Sequence, residues 1–220
     1  LPILLETQTD AWWATPDRYK EVVTARKQSA MIPAQTNIII SAFFIIDFSA
    51  DDLAFGSGAP ITGPISERGL DSYYYHLVGE TMLDGTRIHQ IEISPLSSNM
   101  PLLDGTIYIA DSTYALSMVD VRLNDAALPQ FFDTLAFKQN FRLFDGMFWM
   151  PVDVVVDARI QIPLVGIGVD IEGFSVLQDY RINQEIDEDF LDRTVITVLK
   201  EADERDSIYW AVNRMIPNTA

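Results

Sequence analysis

Cysteine is absent from all 220 residues, so disulfides, thiolate metal sites and cysteine nucleophiles are excluded together. Compartment stays open on that ground alone. Positive charge is scarce: fifteen Lys plus Arg face thirty-two Asp plus Glu, leaving a net charge of -17 whose field repels phosphate backbones. Nucleic acid and anionic membrane surfaces are therefore poor partners, and the acidity reads as a well-solvated exterior. No long hydrophobic run exists. The longest nearly apolar stretch, IIISAFFII from Ile38 to Ile46, has nine residues, about half what a bilayer-spanning helix needs, so no transmembrane helix is expected in this chain. The opening LPILLETQ has no basic n-region, apolar h-region or small-residue cleavage site, which points to a mature protein or an excised domain. GxSxG, Walker, GxGxxG and HExxH patterns are missing as well. Neither a cofactor nor a metal is expected.

What is present is alternation, with 48% of the residues hydrophobic, enough for a sizeable core. In PVDVVVDARIQIP, Val152, Val154, Val156, Ala158, Ile160 and Ile162 alternate with polar partners, the pattern of a long half-buried strand. Leu135, Phe137, Phe141 and Leu143 follow the same rule, as do Val119, Val121 and Leu123. After Pro163 the phase flips to Val165, Ile167, Val169 and Ile171, so a turn or sharp bend belongs at the proline. Asp-Gly recurs at 84, 104 and 145, and Asp84, Asp104 and Asp145 read as hairpin turn residues. Asp111 opens a further polar turn in IADSTYAL.

Residues 33–70 break the pattern with an apolar block followed by a loop rich in Gly and Pro, read as a helical or irregular lid over a sheet. At the other end, KEADERDSIYWAVNRMIP offers Asp203 as an N-cap, a Glu201–Arg205 pair and a stop before Pro217, which predicts that 201–220 comprises a short C-terminal helix and a linker. With no repeat or low-complexity tract, residues 1–220 read as a single domain.

The groups able to carry chemistry each have a plainer role. Two carboxylates across a cleft suffice for glycoside hydrolysis, but Asp104 and Asp111 bound one strand and lie roughly 20 Å apart. Turn building is the favoured role for both. The only histidines, His76 and His89, fall on strands flanking the Asp84-Gly85 turn, where a carboxylate such as Glu92 would complete a zinc set; the spacing carries no metal motif. IDEDFLDR lacks the glycine and final glutamate of an EF-hand loop. Ser66 has no histidine at a recognisable spacing, and the aromatic groups Trp12 with Trp13, Phe43 with Phe44, and Tyr73 to Tyr75 suit a core or a greasy pocket.

Six segments carry a resemblance: PDRYKEVVTARKQSA (16–30), GPISERGLDSYYYHLVGE (63–80), GTIYIADSTYALSMVDVRLN (105–124), QFFDTLAFKQNF (130–141), WMPVDVVVD (149–157) and DERDSIYWAVNRMIP (203–217). Together they resemble the uncharacterised bacterial outer-membrane proteins that begin with a carboxypeptidase-regulatory-like domain and end in a β-barrel, matching the segment between. None of the six is a catalytic motif. The resemblance implies a periplasmic domain tethered to the outer membrane, with the N-terminal regulatory-like domain and the C-terminal barrel as its partners. GTIYIADSTYALSMVDVRL is also similar to the Lol-type periplasmic lipoprotein carriers. That second likeness implies an α+β fold: a strongly curved antiparallel half-barrel, covered on its concave face by a short helical or irregular segment, with a short C-terminal helix. Phe43, Phe44, Val121, Leu135, Phe137, Val154, Val156 and Val169 would then line a hydrophobic cavity. The expected function is non-enzymatic binding of a lipid or lipoprotein acyl chain. A structural or protein-interaction domain is the alternative, and a carboxylate-based hydrolase the third reading.

Overall fold

A computed structural model describes residues 4–14, 18–28, 45–53, 55, 59–162, 166–187, 189–191 and 195–216. Its contacts group the chain into two compact units, Leu1–Phe43 with Asp179–Ala220, and Phe44–Gln178. With 55% strand and a single α-helix, the described chain is mostly β, which shifts the expected α+β balance, and neither of its two sheets closes.

The first unit pairs β1 (Leu5–Ala14) with β2 (Arg18–Gln28) as an antiparallel hairpin, and β10 (Ile196–Val198) joins β2 in parallel at Glu21–Val23. Thr24 is the extra residue of a bulge, and its hydroxyl donates to the Gln8 carbonyl at 3.1 Å. Helix α1 (Ser207–Asn213) is capped by Asp206, whose carboxylate accepts from the Tyr209 N–H at 2.8 Å. The expected cap, Asp203, instead closes a single 3-10 turn, Lys200–Asp203, where it takes two bonds from the Arg26 guanidinium at 2.5 and 2.8 Å. That bidentate pair holds the Asp203 carboxyl below the usual range and delays the helix by one turn. Arg205, expected to pair with Glu201, donates to the Thr24 carbonyl and lies 4.7 Å from the Tyr209 ring. Pro217 lies outside the described residues.

The second unit is one seven-stranded antiparallel sheet in chain order: β3 (Tyr73–Leu83), β4 (Thr86–Pro95), β5 (Leu103–Ala110), β6 (Leu116–Leu123), β7 (Phe132–Phe144), β8 (Phe148–Ile162) and β9 (Ile167–Val176). Registers Leu103↔Leu123, Val121↔Phe137 and Phe137↔Val156 stack the alternating apolar residues on one face. The other face is polar, laced by the cross-strand pairs Asp120–Lys138, Asp104–Arg122 and Asp170–Arg159 at 3.6, 3.4 and 3.2 Å. Asp84 and Asp145 build the β3–β4 and β7–β8 turns at positive φ, as their sequence pattern predicts. Asp104-Gly105 does not turn. It sits inside β5, where Gly105, at φ 150°, leaves room for the neighbouring strand: a Cβ there would lie 2.2 Å from the Asp120 carbonyl. Pro163 and the apolar block Ile38–Phe44 lie outside the described residues.

The described residues between 45 and 66 cover part of the apolar face with turns and one isolated bridge, Leu53↔Ile61, and no helix. Phe48, Leu53 and Ile61 are buried against the sheet, each contributing about 1.5–3 kcal/mol, and Phe55 meets Phe137 with ring centroids 4.9 Å apart. The segment doubles back so tightly that a Cβ on Gly63 would lie 2.3 Å from the Ala50 carbonyl. Three polar side chains fix it. The fully buried Gln139 amide donates to the Ile46 carbonyl and accepts from the Ile46 N–H, both at 3.1 Å, as a neighbouring strand would. Tyr73 donates to the Thr62 carbonyl at 2.6 Å and accepts from the Leu103 N–H at 3.1 Å, while Tyr75 donates to the Pro64 carbonyl at 2.7 Å.

Replacing Gln139 by Leu removes both bonds while keeping the volume apolar, so we expect a loss of about 2 kcal/mol in urea unfolding and faster exchange of the Ile46 amide. Alkali probes the two tyrosines. Burial raises each to about 12 from 10, so their contribution is fully present below pH 10 and is lost as pH rises through 12. Tyrosinate absorbance from Tyr73 and Tyr75 will accordingly appear together with unfolding, well above the ordinary tyrosine value.

Candidate functional site

Val121, Leu135, Phe137, Val154 and Val156 share the apolar face through direct cross-strand registers. The first four are buried, and Val156 packs against the same core. Val169, on the same face of β9, stands apart at 37% exposure. Phe43 and Phe44 lie outside the described residues.

Beyond the covered region, the face is shaped by three bulges. In β3, Val78 is skipped between the pairs Leu77↔Ile91 and Gly79↔Gln90, which swings Glu80 and Met82 onto the apolar face. In β8, Val152 is skipped between Asn140↔Asp153 and Phe141↔Pro151, which does the same for Trp149. In β6, Ser117 is the extra residue, its hydroxyl donating to the Tyr108 carbonyl, and Leu116 turns inward opposite Ile109. At this end lies a cleft of about 390 Å³ lined by Met82, Arg87, Asp111, Thr113, Leu143 and Trp149. Met82 and Leu143 are exposed there, and the Trp149 indole N–H is buried with no hydrogen-bond partner among the described residues.

Charge gathers at the cleft's edge. His89 sits between two carboxylates, Nδ1 3.2 Å from Glu80 and Nε2 3.2 Å from Asp111, and Arg87 approaches Glu80 at 3.7 Å. The hydrogen bond with His89 is the main cause that draws the Asp111 carboxyl below its usual value. The β3 bulge separates the histidines: His76 pairs with Glu92 and His89 with Glu80, so the two rings point to opposite faces. A zinc site shared by both histidines and Glu92 is thereby ruled out geometrically. Among the described residues, no group of three His, Asp or Glu has metal-holding geometry.

The Glu80–His89 contact was within reach of the sequence. Counting outward from the two-residue Asp84-Gly85 turn pairs Leu83 with Thr86 and Glu80 with His89. The contact with Asp111 depends on the next turn and has no such signal. The other candidates take structural roles. The Ser66 hydroxyl donates to the Gly63 carbonyl at 2.8 Å, and Asp187 accepts from the Asp189 N–H. Trp12 packs edge-on against Phe190 and Trp13 lies against Tyr19. No helix among the described residues is long and apolar enough to cross a membrane.

The chain belongs to a family of unknown function, DUF5686, whose model matches residues 2–180 and so spans the whole seven-stranded sheet. No curated protein and no solved structure matches the chain.

Asp111 offers a direct test of the polar edge. A carboxyl held below its unfolded value stabilises the fold at neutral pH, and that contribution is lost as pH falls through its folded value. In a carbon-detected titration, we expect Asp111 to protonate below the ordinary aspartate value. His89→Gln should raise its midpoint toward that ordinary value.

Proposed function

We propose that this chain is a non-enzymatic periplasmic module, attached in its full-length protein to an outer-membrane barrel, that binds the apolar chain of an amphiphile such as a lipid or an acylated lipoprotein. The observation that carries the reading is the cleft, where Met82, Leu143 and Trp149 form an apolar wall beside a rim of Arg87, Asp111 and Thr113. Ligand pockets place apolar surface beside a few polar groups that orient the ligand, and this cleft sets its three apolar side chains among polar Thr86, Arg87, Asp111, Ser112 and Thr113. The wall would take the chain and the rim the polar head.

The lipoprotein-carrier likeness finds support in the same cleft. Neighbouring strands lie about 4.8 Å apart, so Thr86 on β4 and Trp149 on β8 would stand roughly 19 Å apart in a flat sheet. Both line one cleft, as a curved sheet would allow. The covered region favours a second reading. Val121, Leu135, Phe137 and Val154 are buried in a packed interior, which suits a structural or protein-interaction domain between regulatory-like domain and barrel.

The two readings separate at the exposed wall. Charging Phe137 or Val154 would simply unfold the sheet, whereas Met82→Asp and Leu143→Asp alter exposed side chains and should leave the thermal midpoint nearly unchanged. With a dansyl-labelled fatty acid as probe, the binding reading expects saturable micromolar fluorescence enhancement that falls at least ten-fold in either variant. Native mass spectrometry should detect lipid co-purified from a bacterial host. Absence of both probe uptake and bound lipid in the folded protein would favour the structural reading.

A further inference from the structure

The seven-stranded sheet has two edges, and they differ. β3 is interrupted by its bulge at Val78, the kind of irregularity that blunts an edge against strand pairing. β9 pairs with β8 without a register shift from Ile167 to Val176, roughly 33 Å of regular strand at about 3.3 Å per residue. It contains no proline, and its outward backbone row has no hydrogen-bond partner among the described residues. Its side chains are unusually apolar for such an edge. Ile167, Val169 and Ile171, on the sheet's apolar face, are 56%, 37% and 45% exposed. Asp170 and Glu172 occupy the opposite face.

Charge selects what pairs with this edge. Across the β8–β9 ladder Arg159 faces Asp170 and forms an ion pair at 3.2 Å. Glu172, by contrast, faces Asp157, and among the described residues neither carboxylate forms an ion pair. Like charges directly opposite in a ladder are destabilising, and a cation arriving on the free side of Glu172 would offset that repulsion. A second copy of the chain is disfavoured in the registers centred on the acidic stretch. Antiparallel self-pairing centred on Ile171 sets Asp170 opposite the partner's own Glu172 position, and centring on Asp170 or Glu172 sets each carboxylate against itself. A strand alternating apolar with basic residues meets both rows, its apolar side chains extending Ile167, Val169 and Ile171 and its cations facing Asp170 and Glu172.

We propose that the β9 edge is a docking site for an extended segment of a partner protein in which apolar residues alternate with Lys or Arg, added as an antiparallel eighth strand. The site belongs to the sheet's edge and is independent of the cleft reading.

The test uses three labelled ten-residue peptides with blocked termini: alternating valine and lysine, the same composition as a valine block followed by a lysine block, and alternating valine and glutamate. Fluorescence anisotropy should show the alternating valine–lysine peptide binding at least ten-fold more tightly than the block peptide, with amide exchange slowed in Ile167–Val176. Glu172→Lys should weaken that binding about ten-fold and turn the preference toward valine–glutamate, though it changes a net charge of -17 by only two. Its thermal midpoint should hold or rise, because the repulsion from Asp157 is removed. The proposal is overturned if no peptide binds, if both basic peptides bind alike, or if Glu172→Lys binds as the native protein does. It is equally overturned if sedimentation shows a dimer that Glu172→Lys dissociates, which would assign the edge to a second copy.

Discussion

A fully buried glutamine amide, set among apolar side chains, determines how the larger sheet is closed off from water. Gln139 faces Val119 on one neighbouring strand and Val154 on the other, both fully buried, so its amide has no solvent to satisfy it. Left alone, it would cost a few kcal/mol. The Ile46 peptide group satisfies both ends of the amide, and in doing so fixes where the covering segment crosses the sheet. Tyr73 and Tyr75 then hold its return at Thr62 and Pro64, and Gly63 permits the close backbone approach between. The hydrophobic gain from Phe48, Leu53 and Ile61 is larger but undirected, since such residues pack on many arrangements of an apolar surface. The hydrogen bonds select one.

Because the cover is pinned at Ile46 and beyond, it seals the part of the face reached by Leu103, Leu123 and Leu135 and leaves the turn end to other devices. The proposed amphiphile reading and the structural reading therefore concern different parts of one surface. A packed interior at Phe137 is compatible with either. What distinguishes them is whether exposed Met82 and Leu143 serve a ligand or are merely uncovered, and isolated exposed apolar residues are common enough to need the neighbouring charged rim as a second argument.

The strands that were legible are those whose alternation is driven by one buried face. Val119 to Leu123, Leu135 to Leu143 and Val154 to Ile162 each announce a strand and its inward side in advance. The first unit had no such signal. Its β2 buries Lys20, Glu21 and Arg26 among Val23 and Ala25, and the polar groups find partners far away in sequence: Lys20 with the Phe190 carbonyl, Arg26 with Asp203. Parallel pairing of Ile196–Val198 with Glu21–Val23 depends on chain closure, which no local pattern encodes. The same distant partner misplaced the helix cap, because Asp203 answers to Arg26 before it answers to the helix. Asp104-Gly105 misled for a different reason: the glycine serves close strand approach, and dipeptide chemistry alone does not separate that from a turn.

The candidate cleft was hidden for a reason that also explains its form. Strict alternation from Tyr73 and Tyr75 would send Glu80 and Met82 to the polar face, and alternation from Val154 would send Trp149 there too. Each is reversed by one inserted residue, Val78 in β3 and Val152 in β8. A period-two reading therefore assigns every cleft residue from these strands to the wrong side. Bulges also increase local twist. The insertions that bring Met82 and Trp149 to one face thus favour the curling that lets widely separated strands share a cleft, while the β3 insertion places Glu80 opposite His89. One backbone device aims the side chains and bends their support, so removing the Val78 insertion should disturb Met82 of the wall and Glu80 beside the rim together.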